Sequence, residues 1–137
     1  MASDLALALS SDLEKDDPLQ QHAKLYLAKT EARWAMRDPE QGWRANKALE
    51  DLRELEMSKS ATISLDAGRE IANIQYFIRK DYWEAFSQLS KMFWSSQDNA
   101  GVVGQATYFS RTAPDPYRKA FRTMRKMKER ESAPDEI

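Results

Sequence analysis

Apolar side chains return every three to four residues along most of this chain, the period of an amphipathic α-helix. The pattern predicts a first helix over 18–37, with Leu19, Ala23, Tyr26 and Trp34 on one stripe and Thr30 filling the gap. A second, over 39–57, brings Ala45, Ala48, Leu49, Leu52 and Leu55 to one face. MSKSATIS then breaks the period, and its Ser and Thr residues suit helix caps. A third helix, over 64–79, offers Ala67, Ile71, Ile74 and Ile78 to a core, with Phe77 on the shoulder. Helices over 81–95, 99–111 and 116–130 follow, the middle one weakened by Gly101 and Gly104. A short helix around 3–14 precedes them all.

The punctuation agrees with the period. Asp17-Pro18, Asp38-Pro39 and Asp115-Pro116 each set a carboxylate before a proline. The carboxylate accepts from the first free N–H groups of a helix, and proline at the first helical position lacks an N–H that would be unpaired anyway. Asp98 or Asn99 is a candidate cap for the fifth helix. The expectation is an all-α single domain over 17–131, a bundle or a short helical-hairpin array of about six helices. An acidic segment, 1–16, precedes it and an acidic tail, 132–137, follows.

The fourth helix, in KDYWEAFSQLSKMFW (80–94), carries the densest aromatic cluster. At about 100° per residue, Met92, Ala85, Leu89, Phe93 and Phe86 fill one arc that continues through Trp83 to Trp94. Glu84, Lys91 and Gln88 hold the other side. An arc this wide predicts a central helix covered on two sides; otherwise the shoulder of Trp83 and Trp94 is left for a partner. Those two tryptophans lie about 16 Å apart along the helix, with small Ser90 between them. Trp43 falls opposite the stripe of its own helix, which makes it either a partner-binding residue or a cover for the preceding Asp-Pro turn.

The chain also resembles itself. DAGREIANIQYFIRKDYWEAFSQLSKM from Asp66 aligns with NAGVVGQATYFSRTAPDPYRKAFRTMRKM from Asn99 through Ala-Gly, Tyr-Phe, Ala-Phe and Lys-Met. KALEDLREL (47–55) repeats the second half. Such spacing suits stacked helical hairpins, although any amphipathic helices share part of the pattern.

Composition narrows the chemistry. The 137 residues contain no cysteine, one histidine (His22), 21 Lys plus Arg and 22 Asp plus Glu. Disulfides, thiolate metal sites and a cysteine nucleophile are excluded. No nucleophile–base pair, Gly-rich phosphate loop or zinc ligand set can be assembled, so no catalytic residue, metal or other cofactor is expected and the chain is read as a non-enzyme. His22 reads as a surface residue, and the Glu50/Glu54 pair as solvated acid. No apolar run reaches the roughly 20 residues a membrane span needs, and the start lacks the basic residues of a targeting signal. The expectation is a cytoplasmic protein with no evident small-molecule substrate.

Balanced overall, the charge is not balanced locally. Residues 111–130 carry eight bases against two acids. In the sixth helix Tyr117, Ala120, Phe121, Met124 and Met127 form a narrow apolar stripe, with Lys128 beside it. Arg118, Lys119, Arg122, Arg125, Lys126 and Arg130 spread over the rest. The plain reading is a solvated face. The sharper one makes Arg118, Lys119, Arg122, Arg125 and Lys126 a docking surface for an acidic partner, for nucleic-acid phosphate or for an anionic membrane. The functional expectation is a protein–protein interaction protein, an adaptor or assembly subunit, whose partner is another protein or a second copy. The alternative is a nucleic-acid-associated protein using the basic helix.

ISLDAGREIANIQYFIRKDYWEAFSQLSKMF (63–93) resembles the helical-bundle domain shared by the large outer-coat subunit of COPII vesicles and the steroid receptor RNA activator protein. The likeness rests on Ile-Ser before a helix, Ile-Ala-x-Ile, and Arg79-Lys80-Asp81-Tyr82-Trp83 followed by Glu84-Ala85. It extends over 45–111, about half the chain. Tetratricopeptide-like hairpins share the same turn. The chain departs from the family after the fourth helix, at Gln97-Asp98-Asn99-Ala100-Gly101, and its basic sixth helix has no counterpart there. The resemblance implies a protein–protein interaction bundle without catalytic residues.

Overall fold

Asp17 caps the first helix, accepting from the N–H groups of Leu19 (2.8 Å) and Gln20 (3.3 Å). The computed structural model describes residues 17–95 and 100–132. In these the chain forms α1 (Pro18–Arg37), a 3-10 turn (Pro39–Gln41), α2 (Trp43–Glu56), α3 (Ala61–Asn73), a π turn (Ile74–Ile78), α4 (Tyr82–Ser95), α5 (Ala100–Thr112) and α6 (Tyr117–Ser132). No described residue is in a strand, and no described helix is long and apolar enough to cross a membrane. The fold is the expected all-α bundle. The helix expected around 3–14, the caps at Asp98 and Asn99 and the residues of the acidic tail from 133 onward lie outside the described residues.

Two of the three Asp-Pro signals stand at the start of an α-helix, at Pro18 and one residue ahead of Tyr117, and one opens a 3-10 turn instead. Asp38 caps the 3-10 turn, accepting from the N–H of Glu40 at 3.0 Å, and α2 begins four residues later than expected. Asp115-Pro116 has a cis peptide bond and lies in the turn ahead of α6. In the opposite direction, α3 begins three residues early, because Ser60 accepts from the N–H of Ile63 and so caps the helix ahead of Ala61.

The helices enclose two main cores, and Ala23 and Leu27 of α1 form a small third cluster. The first is built by α1, α2 and the inner face of α3: Leu25, Ala28, Ala32, Ala45, Leu49, Leu52, Ile63 and Ile71 are among its members. All five residues expected from α2 are buried. The expectation for α1 is corrected. Ala23 is buried, but Leu19, Tyr26 and Trp34 are exposed, and Ala28, Ala32 and Ala35 go inward with Leu25 and Leu27. Alanines on α1 face Ala45 and Ala48 of α2 within one core, so the small-residue face, which permits close approach of the two helices, is the one that packs.

The second core joins α4, α5 and α6 to the end of α3, around Tyr76, Leu89, Phe93, Val102, Phe109 and Phe121. Between the cores α3 widens. The N–H of Arg79 donates to the Ile74 carbonyl, a π-type bond, and Lys80 ends the segment in the left-handed region at φ 55°. The α3 segment has one residue more than α5 between its Ala-Gly and its Tyr-Phe, and a π turn absorbs one extra residue. Asp81 then caps α4 through the N–H of Glu84 at 3.2 Å.

Polar side chains tie the helices together. Arg33 on α1 reaches both oxygens of the buried Glu70 on α3, each at 3.3 Å. Gln105 on α5 donates to the Arg69 carbonyl and to Asn73 Oδ1, both at 2.9 Å.

Candidate functional site

The fourth and sixth helices run side by side in the same direction and in register. Tyr82 meets Tyr117 with ring centroids 5.5 Å apart, Phe86 meets Phe121 at 5.6 Å, and Lys128 Nζ donates to the Phe93 carbonyl at 2.7 Å. Each pair is separated by the same 35 residues, the spacing at which the two Ala-Phe segments align in the sequence.

Helices paired this way bury the sides that face each other and the core, and leave a trough along their outer seam. Here Ala85, Leu89, Met92 and Phe93 of α4 and Phe121 and Met124 of α6 are buried. The trough is a groove of about 470 Å³ lined by Phe86, Ser90 and Trp94 from one side and by Pro116, Lys119, Ala120, Thr123, Met124 and Met127 from the other. It is hollow because small side chains, Ser90 and Ala120, stand where the flanking positions carry aromatics or methionine. Trp94 (53% exposed) and Met127 (51% exposed) stand at its edges. Trp83 (56% exposed) lies on Phe86, rings nearly parallel with centroids 5.2 Å apart, and extends the apolar wall by one turn.

This corrects the expectation of a fully covered central α4. The arc is buried over its Ala85–Leu89–Met92–Phe93 part only, because α6 pairs in register and reaches no further round the helix. Away from the groove, Gln88 and Lys91 reach across to the end of α2 and bond the two oxygens of Glu56 at 2.6 and 3.1 Å.

The basic residues of α6 divide. Lys119, Arg122 and Lys126 face solvent and, at spacings of three and four, form one stripe along the groove's α6 edge. Lys119 also lines it. Arg118 and Arg125 are half-buried, and Arg118 Nε donates to the Ala113 carbonyl at 3.0 Å. Lys128 is buried, its ammonium 5.4 Å from the Trp94 ring as well as on the Phe93 carbonyl. Of the five basic positions read from the sequence, three therefore form an outward stripe.

Trp43 is not part of the groove. It opens α2 and lies over Arg44, whose guanidinium carbon is 4.5 Å from its ring centroid and 3.5 Å from that of Trp34 on α1. Arg44 is held from behind by Gln41 and by the buried Glu31, each at 2.8 Å. Trp43 is still 56% exposed. His22 is exposed at the other end of α1.

A smaller cavity, about 200 Å³ between the start of α1 and the end of α2, is lined by Gln21, Lys24, Glu54 and Ser58 among others. Its polar groups already bond one another, Lys24 to Glu54 and Ser58 to Gln21. Among the described lining residues of the α4/α6 groove Lys119 is the one ionisable side chain, and the rest offer contact area. Sequence reasoning had Trp94 and the gap at Ser90; it missed Ala120 and Thr123 as the opposite wall, for which the 35-residue repeat was the available signal. No family model, no curated protein and no solved structure matches this chain.

Proposed function

We propose that this chain is a non-enzymatic interaction protein, an adaptor or assembly subunit, and that the α4/α6 groove with its tryptophan wall is its contact surface. One observation carries the reading: the large apolar side chains Trp94 and Met127 are each more than half exposed at the edges of one hollow, and Trp83, also more than half exposed, stacks on its Phe86 wall. Rigid aromatics beside a pocket are the usual anchors of protein interfaces, and methionine adapts to what it meets. The resemblance of 63–93 to an interaction bundle points the same way.

A second reading has one observation in its favour. The outward stripe of Lys119, Arg122 and Lys126 also suits nucleic-acid phosphate.

The experiment is capture of partners from the native source by the wild-type chain and by a Trp94→Ala/Met127→Ala chain, both folded by circular dichroism. Loss of specific partners with the double substitution supports the reading. Unchanged capture overturns it. A salt titration separates the second reading, since phosphate contacts weaken steeply with ionic strength and an apolar interface barely responds.

A further inference from the structure

We propose that the groove takes an amphipathic α-helix of about three turns from a partner protein, with apolar anchors along one face and acidic residues along the adjoining edge. The inference rests on the reading of the groove as the contact surface and adds the chemistry of what fills it.

Shape comes first. From Pro116 to Met127 the α6 wall spans twelve residues, about 16 Å, the length of a three-turn helix. Two parallel helices in register present a straight trough, and a third helix laid in it projects side chains at i, i+3 or i+4, and i+7 into the hollow. Ser90 and Ala120 leave the depth for those side chains, and Met124 and Met127 adjust to them.

An extended peptide does not suit this groove. Such a peptide must pair its N–H and C=O groups with its host. The lining offers the Ser90 and Thr123 hydroxyls and the Lys119 ammonium, against a wall of Phe86, Trp94, Met124 and Met127. No strand edge is present among the described residues. A helix satisfies its own backbone bonds and needs only apolar contact.

Charge supplies the polarity. Residues 117–128 contain no acid, and Lys119, Arg122 and Lys126 are exposed along the groove's edge. The acid of α4, Glu84, is exposed and in line with Gln88 and Lys91, away from the groove. Asp115, beside the groove's Pro116, pairs with Arg118 at 3.9 Å at one end, while the stripe of Lys119, Arg122 and Lys126 is basic along the α6 edge, and acidic residues three or four apart on an incoming helix match it.

The test uses the full chain and four labelled probes, followed by fluorescence anisotropy. They are a 14-residue peptide with leucines at helical spacing and glutamates on one edge, its lysine-for-glutamate counterpart, a scrambled peptide of the acidic composition, and a short DNA duplex. The acidic amphipathic peptide should bind, and the scrambled and basic peptides and the duplex should bind at least about tenfold more weakly. Lys119→Glu/Lys126→Glu should reverse the preference towards the basic peptide, and Thr123→Tyr, which fills the groove from an exposed position, should abolish binding of both. Both sets of changes are at exposed positions, and thermal unfolding checks that the fold is kept. Equal binding of acidic and basic peptides, equal binding of the scrambled peptide, stronger binding of the duplex, or a dimer that Thr123→Tyr dissociates would each overturn the proposal. If no peptide binds while partner capture still depends on Trp94 and Met127, the helix is the wrong occupant and the contact surface stands. If capture does not depend on them, the surface itself is wrong.

Discussion

The ring of Tyr76 lies flat on that of Phe109, with centroids 3.8 Å apart and planes 8° from parallel. Its mirror relation is present too, since Phe77 meets Tyr108 at 5.9 Å. Tyr76-Phe77 and Tyr108-Phe109 are the dipeptides that align when the chain is compared with itself. Each tyrosine thus faces the other segment's phenylalanine, a reciprocal arrangement that also holds α4 and α6 in register through Tyr82–Tyr117 and Phe86–Phe121. Because Phe109 also touches Phe121, this cluster fixes the floor on which the groove is built. Phe109→Ala should cost about 3–5 kcal/mol, the usual price of deleting a buried aromatic. Tyr108→Ala, at the half-exposed partner position, should cost about 1 kcal/mol or less. Urea midpoints with unchanged slope give both values; equal costs would deny Phe109 its central place.

The second prediction concerns the Trp34–Arg44–Trp43 stack. Arg44 neutralises Glu31, whose side chain is 8% exposed. Arg44→Ala leaves that carboxylate buried without its cation and removes both ring contacts, so the loss should be about 3 kcal/mol. Arg44→Lys keeps the charge but not the planar fork, and should recover only part of it. Trp43→Ala should cost about 1 kcal/mol, the scale of a half-exposed cation–π contact. If Trp43→Ala instead leaves stability untouched while partner capture falls, Trp43 serves a second contact surface.

Asp51 gives a pH dependence. Burial pushes its carboxyl above the ordinary range; Lys24 and Lys47 oppose this, and Glu54 and Glu50 add to it. A raised folded pKa means that the neutral acid is favoured in the folded state. The stability this site contributes is fully present below the unfolded carboxylate pKa and is lost as pH rises through the higher folded value. Asp51→Asn should therefore raise the melting temperature at pH 7, and the gain should shrink towards zero as the medium is acidified below the carboxylate range. A gain that grows on acidification would reverse the assigned sign.

How far the sequence could be read depended on side-chain size. In α2 the leucines and alanines share one face and charges take the other, so periodicity alone located Ala45, Ala48, Leu49, Leu52 and Leu55. In α1 size misled: Leu19, Tyr26 and Trp34 are larger than Ala28, Ala32 and Ala35, yet the alanine face is the one that lies close to α2. The site was half legible. Trp83, Trp94 and the gap at Ser90 belong to one helix and follow from a wheel. The opposite wall required knowing that α6 lies beside α4 at an offset of 35 residues, a tertiary fact that the internal likeness only hinted at. Lys128 shows the same limit: its place beside the apolar stripe was visible, its carbonyl partner on another helix was not.

That lysine yields the fourth prediction. Phe93 is near the end of α4, and the Lys128 ammonium donates to its carbonyl oxygen at 2.7 Å from a buried position. Lys128→Met keeps the apolar stem and removes the donor. It should cost about 1–2 kcal/mol and shift Trp94 emission, because the cation 5.4 Å from that ring is gone. An unchanged emission spectrum together with unchanged stability would show that the bond contributes nothing in solution.

The two glycines of α5 should respond in opposite ways. Gly104 is exposed within the helix, and a Cβ added there meets nothing within 4 Å. Gly104→Ala removes backbone freedom from the unfolded chain without a steric cost, and should stabilise by about 1 kcal/mol. For a chain of this size that is a melting-temperature rise of roughly 3–6 °C. Gly101, one turn earlier, would place its Cβ 2.6 Å from the Arg69 guanidinium. Arg69 Nε donates to Gln105 Oε1 at 3.1 Å, and Gln105 in turn bonds the Arg69 carbonyl and Asn73. Gly101→Ala must push that guanidinium aside and loosen the link between α3 and α5, so the same propensity gain is offset and no rise is expected. Differential scanning fluorimetry on the two variants decides the matter, since helix propensity alone predicts equal gains and the packing at Arg69 predicts that only Gly104→Ala shows one.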